Sequence, residues 1–173
     1  KYAKDAADLE PLNKENHVNL GLALQADGDW SGSIQSFGTA LEKGADRSDM
    51  YKRIGQSHML AGDLKKALEQ FNAQKPLRDD KEVFFWTAEC LQQQEQYPQA
   101  LTELNQLLTS FPDVETDPEF LARFAYLYVI TGNINTAKEY FDKAVRIVNK
   151  NKTALFYRTA YLWKNDQQNE AVN

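Results

Sequence analysis

The chain has 173 residues, with twenty Lys and Arg against twenty-five Asp and Glu, a formal charge of −5 and a pI near 5.1. That balance argues against a protein that neutralises nucleic-acid phosphates along a basic face. A mean hydropathy of −0.63, without an apolar run of about eighteen residues, argues against membrane insertion in this segment. The single cysteine, Cys90, excludes an internal disulfide and a cysteine-rich zinc site, and it fits cytoplasm and bacterial periplasm equally. In chain order, the first apolar spacing of three and four runs through Leu20 and Leu24, then Ile34, Phe37 and Leu41. Gly28-Asp29-Trp30, Gly62-Asp63-Leu64 and Gly132-Asn133-Ile134 read as turns between helices, and Glu95-Gln96-Tyr97 stands in the same place once. Leu101, Leu104, Leu107 and Leu108 continue the helical spacing, and Asp117-Pro118 reads as an N-cap followed by a first-turn proline. No Val/Ile/Thr alternation suggests a strand, so the whole chain is expected to be helical.

The segments repeat in phase. A small residue with a larger one three places on recurs as Gly21/Leu24, Gly55/His58, Ala88/Leu91, Ala125/Tyr128 and Thr159/Leu162. Twelve residues after each small residue comes another: Ser33, Ala67, Ala100, Ala137 and Ala171. Four further on stand Phe37, Phe71, Leu104 and Phe141. This pattern resembles the tetratricopeptide repeat, a helix–turn–helix unit of about 34 residues. The resemblance implies an all-α, right-handed superhelical solenoid in one domain over residues 1–173. Its full repeats would span 14–47, 48–80, 81–117 and 118–151, between the end of a preceding repeat at 1–13 and a truncated repeat at 152–173. Both ends fall inside a repeat, so the chain is expected to be part of a longer one.

The residue types follow from packing. Small side chains let paired helices cross closely, and Phe37, Phe71 and Phe141 fill the space between repeats, so truncating one should cost about 3–5 kcal/mol. Gln74 with Pro76, and Leu107 followed by the extra residues Glu115-Thr116-Asp117, depart from the pattern. An irregular superhelix is expected across 74–80 and 107–117.

Catalytic chemistry finds little support. In the repeat register His17 and His58 occupy packing positions, and Cys90 reads as a small core residue without a placed base. Asp27 to Gly32 resembles the start of a calcium loop, but Gly38 stands where the twelfth-position carboxylate is required. No phosphate loop or nucleophile elbow occurs, and Asn151-Lys152-Thr153 is a sequon of use only in a secreted protein. Lys143, Arg146 and Lys150 read as a solvated helix face. No enzyme activity and no cofactor are expected.

The resemblance implies instead a concave groove lined by the first helix of each repeat. Carried over, its positions are Val18, Lys52, Phe85, Ala122 and Phe156, then Leu22, Gln56, Glu89, Tyr126 and Ala160, then Gln25, Met59, Gln92, Val129 and Trp163. The partner-binding set is expected among Lys52, Gln56, Phe85, Glu89, Gln92, Tyr126, Val129, Phe156 and Trp163. Aromatic anchors among amides suit a peptide or partner helix. The cochaperone version of this fold clamps a terminal carboxylate with Lys, Asn and Arg, and only Lys52 and Arg123 fit that pattern, so such a clamp is not expected. The function implied is a non-enzymatic scaffold or adaptor for proteins or peptides. The alternative is a recognition arm of a longer enzyme or of a secretion or polysaccharide-export machine. Self-association through exposed terminal half-repeats is a further expectation.

Overall fold

A computed structural model describes residues 2–147, and no strand occurs among them. The expected truncated repeat at 152–173, with Phe156 and Trp163, lies outside the described residues. The helices are α1 (Tyr2–Leu9), α2 (Lys14–Ala26), α3 (Trp30–Glu42), α4 (Arg47–Leu60) and α5 (Leu64–Gln74). They continue as α6 (Lys81–Gln93), α7 (Tyr97–Ser110), a 3-10 helix (Pro112–Thr116), α8 (Pro118–Ile130) and α9 (Ile134–Ile147).

Short acidic and amide side chains start these helices by accepting hydrogen bonds from otherwise unpaired N–H groups. Asn13 caps α2, Asp29 α3, Asp46 α4, Asp63 α5 and Asp117 α8. The Asp80 carboxylate accepts from the N–H groups of Glu82 and Val83 at the start of α6.

Helix ends and helix starts share residues. At the end of α2, Gly28 N–H donates to the Gln25 carbonyl and Asp29 N–H donates to that of Leu24. The same pair of bonds recurs at Gly44/Ala45, Gly62/Asp63, Glu95/Gln96 and Gly132/Asn133. The motif requires a left-handed residue, and Gly28, Gly44, Gly62 and Gly132 have φ of +79°, +85°, +82° and +89°. Glu95 takes the same role at φ +59° despite its side chain.

The chain divides into two compact units, Lys1–Cys90 and Leu91–Asn173, each with its own apolar core. In the first, α1 packs on α2, α2 pairs with α3, α3 packs on α4, and α4 pairs with α5. The pairs cross at glycines. A Cβ on Gly21 would lie 2.5 Å from the Phe37 ring, and one on Gly55 would lie 2.5 Å from the Phe71 ring. Phe37 packs with Ala40, Met50 and Ile54, while Phe71 packs with Ala67, Val83 and Cys90. In the second unit α8 pairs with α9, and the 3-10 helix packs against α7 and α8. Ala125, Val129, Ala137 and Phe141 form its described core, flanked by Tyr126, Tyr128, Ile134 and Tyr140.

Candidate partner-binding face

In the unit spanning residues 1–90, α2, α4 and α6 are tied side by side by polar contacts. Late in α2, Gln25 Nε2 donates to Gln56 Oε1 at 3.3 Å and to Ser57 Oγ at 3.1 Å. Ser33 of α3 donates to the same Ser57 hydroxyl, so this link is anchored in the layer behind. Early in α4, Lys52 Nζ meets Asp80 Oδ2 at 2.8 Å, pairs with Glu82, and lies 5.5 Å from the centre of the Trp86 ring. These contacts place the N-terminal ends of α4 and α6 on one edge, and the late turns of α2 and α4 beside each other.

Helical spacing of three and four then fixes what shares this face. Leu22 lies one turn before Gln25, Leu60 one turn after Gln56, and Glu89 one turn after Phe85. Leu22 and Leu60 are 37% and 47% exposed. Phe85 and Glu89 are half-buried.

The expected site residues fare differently. Gln56, Phe85 and Glu89 lie on this face, with Gln56 already accepting one hydrogen bond. Lys52 is present but occupied: two carboxylates and an indole ring surround its ammonium group. Burial alone would lower its pKa, but the hydrogen bonds to Asp80 and Glu82 outweigh that and raise it, so Lys52 stays charged. In the second unit, Gln92 and Tyr126 are half-buried, and Tyr126 leans on the α8–α9 core. Val129 corrects the sequence reading. It is only 4% exposed and packs with Ala125, Ala137 and Phe141, so its side chain fills the hairpin core. Ala122 is likewise fully buried.

Two residues were missed. Leu60 follows Met59 at the next groove position of the register, and its apolar side chain at a helix end was the available signal. Trp86 holds Lys52 from α6, a contact across 34 residues that no local pattern announces. The suspected catalytic side chains are structural in their surroundings. His17 Nε2 lies 3.0 Å from the Pro11 carbonyl oxygen, and burial pushes the half-buried His58 imidazole below its usual pKa. Cys90 is fully buried, and burial followed by the nearby Glu89 charge pushes its thiol up to about 12. No group of His, Cys, Asp and Glu able to hold a metal ion occurs among the described residues. No described helix is long and apolar enough to cross a membrane.

The sequence matches tetratricopeptide-repeat families over residues 18–80, 82–113 and 118–151. The chain belongs to the tetratricopeptide repeat family. Its fold is an all-α solenoid of that type, a scaffold for protein interaction and typically non-catalytic. Among similar solved structures is YrrB, described as a tetratricopeptide protein with an unusual peptide-binding site. It is 16% identical with a TM-score of 0.78, over 99% of this chain and 87% of that one. A tetratricopeptide protein from Parabacteroides merdae is 19% identical with a TM-score of 0.82, over 91% and 62% of the two chains. PilW, described as a widely conserved type IV pilus biogenesis factor, is 16% identical with a TM-score of 0.80, over 98% and 78%. At these identities the likeness concerns the fold. A comparison with curated proteins finds no match.

Proposed function

We propose that this tetratricopeptide protein holds an extended peptide or a partner helix against its first helices, with α2, α4 and α6 supplying the main face. The observation that carries the reading is the combination on that face. Leu22 and Leu60 remain exposed while the helices beneath them are fixed to one another by Gln25, Gln56, Ser57 and Lys52. A surface already held in place loses little conformational freedom on binding, so a few apolar anchors suffice for useful affinity. Tyr126 of α8 holds the corresponding repeat position in the second unit.

The test is selection of binding peptides from a display library against the whole chain, followed by affinity measurement with Leu60→Ala, Phe85→Ala and Tyr126→Ala. Loss of about tenfold, or roughly 1.4 kcal/mol, is expected for Leu60→Ala and Phe85→Ala. Unchanged affinity in all three folded variants would remove the face from consideration.

A second reading, self-association, is favoured by α1 and the turn after it. Tyr2, Leu9 and Leu12 are 88%, 82% and 78% exposed, and Tyr2 and Leu9 lie two turns apart on one side of α1.

A further inference from the structure

We propose that the α2–α4–α6 face binds an extended peptide through its main chain, Gln25 accepting from a peptide N–H and Gln56 donating to a peptide C=O. This deepens the peptide-binding reading, rests on it, and decides against a partner helix. The deciding observation is the direction of the hydrogen bonds that run from the buried layer out to this face.

Ser57 is fully buried. Its hydroxyl receives a hydrogen from Ser33 Oγ at 2.9 Å and gives its own to the Arg53 carbonyl at 3.0 Å. Toward Gln25, 3.1 Å away, that oxygen can therefore only accept. Gln25 accordingly turns its Nε2 inward, and the second N–H of the same amide meets Gln56 Oε1 at 3.3 Å. Both N–H groups of Gln25 are then spent, and its Oε1 has no partner in the chain. Gln56 is fixed in turn, because its Oε1 faces Gln25 and its Nε2 donates to no group of the chain. Flipping either amide alone would set like against like.

The face thus offers one acceptor and one donor on neighbouring helices, both on half-buried side chains. Leu22 precedes Gln25 by one turn and Leu60 follows Gln56 by one turn, so apolar side chains flank the polar pair. These two groups select the occupant. An apolar helix face laid on the leucines would strip water from both amides, and a covered polar group without a partner opposes binding. The helix backbone cannot supply the partners, since its own N–H and C=O groups bond to one another along the axis. An extended chain presents both groups, and alternate side chains leave it on one side toward the leucines. Main-chain bonds then serve many sequences, and the apolar anchors choose among them.

Two fluorescein-labelled, amidated peptides test this on the whole chain by fluorescence anisotropy. One is extended, about eight residues of alternating Leu and Thr, and the other is an Ala- and Gln-rich helix with leucines at three- and four-residue spacing. The extended peptide should bind at least about tenfold tighter, and methylating its backbone nitrogens one at a time should cost about tenfold at a central position. Gln25→Met should weaken the unmodified peptide about fivefold and erase that methylation penalty, a coupling that mere support of the fold does not produce. Gln56→Glu, which still accepts from Gln25 but no longer donates, should weaken binding about tenfold at an unchanged melting temperature. Leu60→Ser should weaken both peptides. If the helical peptide binds as tightly as the extended one, or every methylation is tolerated, while Leu60→Ser still weakens binding, the main-chain assignment is overturned and the face is kept. Binding that ignores Leu60→Ser overturns both, because the peptide would then be held elsewhere. No binding of either peptide also overturns the proposal.

Discussion

At the residue scale, the smallest side chains set the closest distances. Each of Gly21 and Gly55 lies under a phenylalanine ring, where even a methyl group would come within 2.5 Å of ring carbon. Gly21→Ala and Gly55→Ala should each therefore cost about 1–3 kcal/mol in urea unfolding. Gly38 offers the control: it lies within α3 with nothing within 4 Å of its notional Cβ. Gly38→Ala should stabilise by up to about 1 kcal/mol through helix propensity. Two titrating groups work in opposite directions. The Cys90 thiol, raised from 9.0 to about 12, favours the folded state fully below pH 9 and loses that contribution as pH climbs toward 12. His58 is lowered from 6.5 by burial, so its contribution is present above that pH and fades as the solution becomes more acidic. Native Cys90 should accordingly resist a thiol reagent at pH 8 and react once the chain unfolds, and His58→Gln should flatten the loss of stability below pH 6.5. Rapid labelling of the native thiol would contradict its burial.

At the element scale, the junction between α5 and α6 joins capping, packing and the proposed binding face. Asp80 caps α6 and also receives Lys52, so Asp80→Ala removes both at once and should cost about 1–2 kcal/mol by thermal or urea unfolding. Asp80→Asn, which keeps the cap, should lose less. Gln74 explains why the repeat departs from its small-residue rule here. Its side chain is fully buried, and its amide donates to Ser48 Oγ and to the Arg78 carbonyl, both at 3.0 Å. The residue was visible in the sequence as an exception, but its reason was not, because Ser48 lies 26 positions away. The helix starts at Asp29, Asp63 and Asp117 were legible because a cap is a local interaction. The 3-10 helix at Pro112–Thr116 was visible only as three surplus residues. Val129 was misplaced for a related reason. Register gives a helix position, whereas burial depends on how large its neighbours are, and Phe141 and Tyr126 close over it.

At the scale of the whole molecule, helix pairs of this kind cannot bury their apolar faces alone, and stability accumulates through neighbours. α1 shows the converse, a helix with one face on α2 and another carrying Tyr2 and Leu9 into solvent. If that side mediates self-association, light scattering should show a mass that rises with concentration, and Leu9→Glu/Leu12→Glu should return it to the monomer. A constant monomer mass in the unmodified chain would dismiss the second reading. The proposed face on α2, α4 and α6 uses no residue of α1, so peptide affinity should survive the same double substitution. Glu95 leaves the chain unfinished in a useful sense. Among the described residues five turns share one hydrogen-bonding motif, four use glycine, and the fifth holds a glutamate at φ +59°. Left-handed backbone costs an ordinary residue about 1–2 kcal/mol, so that amount is headroom an engineer could recover with Glu95→Gly. Recovery would raise the melting temperature by a few degrees without touching the proposed face.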